Sequence, residues 1–230
     1  MITSVHRETI PIFPLENVVL FPNIGVPLYI FEPRYRAMIR AALHGERRIG
    51  MIAIRPEATN RISDTPAVFS IGCEGEIDQA QERDDGTFDI RLVATRRFTV
   101  VEELGTSESR PYRLAQVQFL EEESLPSEFE GFAAVRQNIF RALGEIIQRG
   151  VADEERSEAQ SMASLKKLED FADEQFVHVV AQAIDLGVLE KQRLLEAPGT
   201  LLRYRMLDEL LRFRISELKV PTTPGPAVLQ

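Results

Sequence analysis

The chain has 230 residues, of which 44% are hydrophobic and 27% charged, and its formal net charge is −9. This length allows one large domain or two small ones with a real apolar core. The negative charge disfavours double-stranded nucleic acid and anionic membranes as partners, because both carry negative charge themselves. The single cysteine, Cys73, excludes an internal disulfide.

The beginning of the chain, MITSVHRETIPIF, has no long apolar segment behind a basic head, so it does not resemble a secretory leader. No apolar run approaches the roughly 18 residues that a membrane-spanning helix needs. We therefore expect a soluble protein of the cytoplasm with no membrane partner.

The first third of the chain is apolar and β-branched, yet prolines interrupt it repeatedly. Strands are predicted at Thr9–Phe13 and Val26–Phe31, with the prolines at strand starts, bulges and edges. From Pro33 the apolar residues recur at helical spacing. A helix is therefore predicted to begin at Pro33 and to end at Gly45. Short strands joined by tight turns favour a small, distorted barrel over one flat sheet.

A strand is predicted again at Arg48–Ile54, and a polar surface loop follows it. The clearest pattern comes next, a β-meander in which Asp85-Gly86 is a typical hairpin turn. Its strands are predicted at Gly72–Gln81, Phe88–Ala94 and Arg96–Glu103, and a further strand carries Leu114, Val117 and Phe119.

Beyond Glu123 the pattern is helical. Ser127 and Glu130 have the spacing of a capping box. Four helices are predicted, and the last begins near Thr200. The predicted fold class is α+β, with a β-rich domain at 1–123, a helical bundle at 124–218 and a flexible tail at 219–230.

No pattern of catalytic or ligand-binding residues stands out. The chain has no glycine-rich phosphate loop. Gly72 and Gly75 are interpreted as residues that allow the backbone to form a turn or bulge. Cys73 is expected to be a buried strand residue, and His178 to form a surface pair with Glu174 one helical turn earlier. The histidines and the cysteine fit neither a nucleophile–base pair nor a zinc site. We predict no catalytic residue, no cofactor and no metal.

The opening segment IPIFPLENVVLFPNIGVPLYIFEPRY resembles the start of the Lon N-terminal domain, also called the Lon substrate-binding domain. The similar motifs are Pro14-Leu15, the run Asn17–Pro22 and Pro27-Leu28. Weaker similarity continues through IGCEGEI, LVATRRFTVVE and LEKQRLLEAPGTLLRYRMLDELL, so that the resemblance extends from Ile10 to about Leu218.

The resemblance implies a PUA-like β pseudo-barrel followed by a helical bundle. In full-length Lon proteases an ATPase module and a Ser-Lys peptidase domain follow this domain. The present sequence ends before either, so a stand-alone member that is not an enzyme is expected. Its implied partner is unfolded polypeptide or another protein, with a separate ATPase or protease and self-association as further options.

The contacts that this resemblance suggests are exposed aromatic and turn residues near the start of the chain. The predicted substrate-binding residues are Phe21, Pro22, Asn23, Tyr29, Phe31 and Tyr35. Two alternatives remain open from the sequence. One is a hydrolase, which lacks a recognisable nucleophile–base pair, and the other is an RNA-binding module. The RNA-binding alternative requires Arg91, Arg96 and Arg97 to form one basic patch with lysines or arginines from elsewhere in the chain.

Overall fold

The structure is a computed structural model that describes residues 7–59, 65–122, 131–150 and 165–219. The strands are β1 (Arg7–Leu15), β2 (Gly25–Ile30), β3 (Arg48–Ala53), β4 (Ile71–Glu82), β5 (Phe88–Leu104) and β6 (Arg113–Phe119). The helices are α1 (Pro33–Leu43), α2 (Pro56–Thr59), α3 (Gly131–Gly150), α4 (Asp173–Ala183), α5 (Val188–Glu196) and α6 (Thr200–Lys219), with a 3-10 turn at Leu168–Asp170. The predicted α+β class is confirmed. In these ranges no helix combines the length and apolarity needed to cross a membrane.

The sheet has six strands in the order β2-β5-β4-β3-β1-β6, and β5 also pairs with β6. This extra pairing closes β5, β4, β3, β1 and β6 into a ring. Strand β2 lies outside the ring and is attached to the first half of β5 by antiparallel pairing from Gly25 opposite Val93 to Ile30 opposite Phe88. The barrel is therefore a closed sheet with one additional strand at its side.

Two prolines lie inside β1, although the sequence places them beside strands or at their starts. The strand pairs with β6 only through Ile12 and with β3 only from Ile12 onward. Because the Leu15 carbonyl accepts a bond from the Ile54 amide on the β3 side, the nitrogen of Pro11 points toward β3 and that of Pro14 toward β6. The nitrogen of each proline, which has no hydrogen to donate, therefore faces the side on which β1 has no partner strand at that position.

Strand β5 is continuous over 17 residues, where the sequence predicts two strands separated at Thr95. The register jumps at that point, since Glu74 is opposite Arg96 and Gly75 is opposite Ala94. Thr95 is therefore the extra residue of a β-bulge, and its hydroxyl donates to the Glu74 carbonyl at 3.2 Å. The bulge bends β5, so that its first half pairs with β2 and its second half with β6.

The β-rich unit has two apolar cores. One lies between α1 and the sheet and includes Tyr35, Met38 and Ile39. The other surrounds Phe98 and contains the inward side chains Ile10, Ile12, Ile52, Ile54, Val68, Ala115 and Val117. Glycines make room for the Phe98 ring, because a Cβ atom on Gly50 or Gly72 would lie 2.8 or 2.6 Å from it.

The described chain divides into two compact units, one of residues 1–123 with 178–198 and one of residues 124–177 with 199–230. The sequence places residues 178–198 in the helical domain, whereas the structure groups them with the barrel. Polar contacts explain this grouping. Arg97 in β5 donates to the carbonyls of Leu195 and Ala197 at 2.8 and 2.7 Å, and the Gln192 amide donates to the Ile71 carbonyl at 2.9 Å.

The second unit is built on α3, α6 and the beginning of α4. Phe176 stacks on Tyr204 with ring centroids 5.6 Å apart, and Phe140 lies 4.9 Å from Phe176. Arg136 of α3 forms an ion pair with Asp173 at 2.5 Å. The same guanidinium donates to the carbonyls of Leu168, Glu169 and Phe171, and so it holds the 3-10 turn.

Candidate functional site

Strand β2 is the exposed edge of the sheet. Along this strand the backbone N–H and C=O groups of successive residues point alternately toward β5 and away from the sheet. The Ile24 carbonyl accepts a bond from the Ala94 amide, so the backbone groups of the even-numbered residues face β5. Those of Gly25, Pro27 and Tyr29 therefore point away from the sheet. Proline offers no N–H at the middle of this edge, which hinders the addition of another strand.

Two large aromatic side chains stand out on this strand and just after it. Tyr29 is 50% exposed and Phe31 is 60% exposed, and their ring centroids are 6.0 Å apart with 30° between the ring planes. Large apolar side chains of this size are normally covered, so an adjacent exposed pair is typical of a surface that contacts another molecule.

Charged side chains from the neighbouring strands frame the aromatic pair. Tyr29 is opposite Asp89 in the register. The Asp89 carboxylate accepts a bond from the Arg83 guanidinium at 2.6 Å, and that guanidinium lies 5.0 Å from the centre of the Tyr29 ring. The hydrogen bond that Arg83 donates to Asp89 is the main reason why the pKa of Arg83 is raised. Arg83 therefore combines an ion pair with a cation–π contact at the surface.

A concavity lies beside these residues, across β2, β5 and β4. Pro27 is opposite Arg91 and Arg91 is opposite Gln79. The concavity is lined by Pro27, Gln79, Ala80, Gln81, Asp89, Ile90 and Arg91. We call the surface formed by Pro27, Tyr29, Phe31, Gln79, Gln81, Arg83, Asp89 and Arg91 the outer face. It combines apolar contact area with amide and charged groups.

The hairpin that carries Arg83 and Asp89 is stabilised by hydrogen bonds within its turn and by an ion pair with α1. Gly86 has a φ of 75°, as its turn requires. The Asp85 carboxylate accepts bonds from the hydroxyl and the amide of Thr87, and these bonds lower the pKa of Asp85. Arg40 of α1 pairs with Glu82 at 2.5 Å. The charged groups of the outer face are therefore positioned by a fixed turn.

The structure divides the predicted substrate-binding residues into two groups. Phe21, Pro22 and Tyr35 are buried, so their side chains offer no surface to a partner in this conformation. The Phe21 ring stacks on His178 at 5.7 Å, and His178 is buried, whereas the sequence predicts it on the surface. Asn23 is exposed at a position with a φ of 64°.

Tyr29 and Phe31 are the predicted residues that the structure brings together on an exposed surface. Arg83 and Asp89 were not among the predicted site residues. Their proximity to Tyr29 depends on strand register and on the hairpin, and the Asp85-Gly86 turn was the one pattern in the sequence that pointed to this arrangement.

The groups considered for covalent chemistry lie elsewhere. Cys73 is fully buried in the apolar core beneath α1, and its thiol contacts the Glu74 carbonyl at 3.6 Å. His44 is at the C-terminal end of α1, where its ring nitrogen contacts the Arg40 carbonyl at 2.7 Å. His6 lies outside the described residues.

The three arginines that the RNA-binding alternative requires do not form one patch. Arg91 pairs with Asp78 at 2.8 Å, and Arg96 pairs with the buried Glu74 at 2.9 Å. Arg97 is 2% exposed and donates to backbone carbonyls in the barrel unit. Each of these three guanidinium groups thus already faces an oxygen of the protein itself.

The closed five-stranded barrel with one additional strand at its side and helices after it is a β-barrel domain of the α+β class. The sequence model of the ATP-dependent protease La (LON) substrate-binding domain matches residues 9–212. The chain belongs to this family.

Curated relatives of similar sequence include Lon protease 2 of Herpetosiphon aurantiacus, 27% identical over 224 residues, and Lon protease of Parabacteroides distasonis, 28% identical over 220 residues. The alignments cover 95% and 92% of this chain and 25% of each relative. The chain therefore spans about a quarter of the length of the curated relatives it matches.

Solved structures show the same fold. The N-terminal domain of Mycobacterium avium complex Lon protease superposes with a TM-score of 0.64 at 18% identity, covering 89% of this chain and 98% of that one. The Lon N-terminal domain protein from Xanthomonas campestris gives a TM-score of 0.60 at 22% identity, covering 90% and 98%. The barrel with following helices is thus the architecture of Lon N-terminal domains.

Proposed function

We propose that this protein is a non-catalytic module that holds segments of unfolded polypeptide on its outer face. The observation that supports this most directly is the exposed pair Tyr29 and Phe31 beside the concavity. Rigid aromatic side chains contribute large contact area at low entropic cost. The family is that of a substrate-binding domain, and the proposal assigns this role to a defined surface.

The polar part of the outer face suits a polypeptide ligand. Gln79 and Gln81 are exposed on β4, and their side-chain amides can both donate to and accept from a peptide backbone. Because Pro27 leaves the middle of the β2 edge without a donor, binding is expected to depend on side chains more than on an added strand. A captured segment could then be passed to a separate ATPase or protease.

Fluorescence anisotropy with labelled casein as an unfolded probe tests the assignment. The double variant Tyr29→Ala, Phe31→Ala should bind at least about tenfold more weakly, because two exposed aromatic anchors are removed. Leu189→Ala is the matched control, since Leu189 is 52% exposed on α5 in the same unit and away from the outer face. Equal affinities for the double variant and the wild type would overturn the proposal.

The non-catalytic part of the proposal is tested separately. Casein incubated with the purified protein should remain intact, with or without ATP. Burial of Cys73 supports this expectation. Cleavage of the casein that persists after further purification would contradict it.

A further inference from the structure

The position of Arg83 suggests which chemistry the outer face accepts. Its guanidinium lies between a carboxylate, Asp89 at 2.6 Å, and an aromatic ring, Tyr29 at 5.0 Å. A carboxylate beside an aromatic face is a binding site for a planar cation, since the ring quadrupole and the ion pair act on the same group. Arg83 occupies that site from within the chain.

This internal contact is exchangeable. The side chains of Arg83 and Asp89 are 52% and 44% exposed. Exposed ion pairs contribute little free energy, and exposed cation–π contacts contribute only about 0.5–1 kcal/mol. An arginine from another polypeptide can therefore compete with Arg83 at modest cost.

The surrounding charge favours a cationic competitor. Between Glu76 and Arg91 the hairpin contains six carboxylates and two arginines, a net charge of −4. Arg40 of α1 neutralises one of the carboxylates, Glu82. The Phe31 ring, 6.0 Å from that of Tyr29, offers an apolar surface next to the cation position.

We propose that the outer face selects polypeptide segments in which an arginine neighbours an apolar residue, and that Arg83 is an internal competitor for the arginine position. This inference rests on the proposed function, because it specifies the chemistry of segments bound at the same surface. The incoming guanidinium takes the place of Arg83 between Asp89 and Tyr29, and the apolar neighbour packs on Phe31.

The test uses two labelled unstructured peptides of identical sequence, one with arginine beside leucine and one with citrulline in its place. Citrulline keeps the shape of the side chain but lacks the charge. The variant Arg83→Gln should bind the arginine peptide about threefold more tightly than the citrulline peptide in anisotropy titrations, the ratio expected for one exposed cation–π contact. Wild-type protein should show a smaller preference in the same direction, because the peptide arginine must displace Arg83, and Asp89→Asn should abolish the preference.

Asp84→Asn is the matched control, because it removes one exposed carboxylate from the same hairpin and leaves both partners of the Arg83–Asp89 ion pair in place. It should retain most of the preference. Equal binding of both peptides by the wild type and by Arg83→Gln, with binding still dependent on Tyr29, would overturn the arginine preference and leave the proposed function intact. Binding of neither peptide, or binding unaffected by Tyr29→Ala, would overturn both.

Discussion

The guanidinium of Arg97 in β5 lies 2.7 Å from the carbonyl oxygen of Ala197, which follows the C-terminal end of α5. The carbonyl oxygens at a helix end lack partners within the helix, so a buried cation there satisfies them and opposes the negative end of the helix dipole. Arg97 also pairs with Glu122 at 2.8 Å. One side chain therefore connects the barrel with a segment that follows it by almost 100 residues.

Replacing Arg97 with methionine keeps the aliphatic stem but leaves these carbonyls and Glu122 without the cation. We expect the free energy of unfolding in urea to fall by about 3–5 kcal/mol, the range for breaking a buried ion pair. Arg91→Met in the same strand is the control, and it should lose at most about 1 kcal/mol because its pair with Asp78 is exposed. Amide exchange in Val188–Glu196 should accelerate only in Arg97→Met, and similar exchange in both variants would contradict this role.

Gly72 is required by close packing around Phe98. A Cβ atom at position 72 would lie 2.5 Å from the Met51 carbonyl oxygen and 2.6 Å from the Phe98 ring. Gly72→Ala should therefore lower the melting temperature and cost about 1–3 kcal/mol by overpacking. Gly105→Ala is the comparison, since nothing lies within 4 Å of its Cβ position. Unchanged stability of Gly72→Ala would mean that the barrel interior is looser than described.

Two buried tyrosines make stability depend on alkaline pH. Burial is the main cause that raises the pKa of Tyr35 and of Tyr204 above the usual value of about 10. Above that pH the unfolded chain loses these protons before the folded one does, so stability should be full below pH 10 and decrease as pH rises further. Urea titrations from neutral to alkaline pH should show this decrease, and it should be less steep in Tyr35→Phe and Tyr204→Phe. A stability that rises in this range would contradict the prediction.

Arg136 organises the second unit through the planar fork of its guanidinium. Lysine at this position keeps the charge near Asp173 but cannot reach the carbonyls of Leu168, Glu169 and Phe171 together. Arg136→Lys should therefore cost about 1–3 kcal/mol, measured by chemical unfolding. Arg141→Lys on the exposed side of the same helix should stay within about 0.5 kcal/mol. Equal changes of the free energy of unfolding in Arg136→Lys and Arg141→Lys would mean that Arg136 contributes through its charge alone.

Much of the fold follows from local patterns. Helix α1 begins at Pro33 as predicted, because proline fits the first helical turn. The hairpin at Asp85-Gly86 forms as predicted, with the Gly86 amide donating to the Arg83 carbonyl at 2.8 Å. These features depend on residues close together in the chain, so their sequence is sufficient to define them.

Other features depend on partners distant in the chain. The sequence predicts a break between two strands at Thr95. In the structure β5 pairs with β4 on both sides of this residue, so the strand continues and Thr95 forms a bulge. Phe21 looks like a turn residue available for contact, yet its ring is covered and stacks on His178, more than 150 positions later. The short helix α2 falls in a segment predicted as loop. Contacts with distant residues decide the cases of Thr95 and Phe21, and the sequence around these residues does not reveal them.

The candidate site divides in the same way. Exposed aromatics near the start of the chain were predicted, and Tyr29 and Phe31 fit that description. The charged partners Arg83 and Asp89 became visible only through the register that sets Asp89 opposite Tyr29. The outer face is formed by residues from three strands. Its members can therefore be recognised only when the pairing of those strands is known.

The length of β5 has a mechanical consequence. Its first half pairs with β2, which carries Tyr29, while Arg97 lies beyond the bulge in the same strand. Under the proposed function, a force that pulls on a polypeptide bound at Tyr29 would pass from β2 into β5, whose ladder with β4 extends from Phe88 to Thr99. A force along that strand would load the hydrogen bonds of the ladder together, so this attachment should resist more force than the pairing of an isolated hairpin.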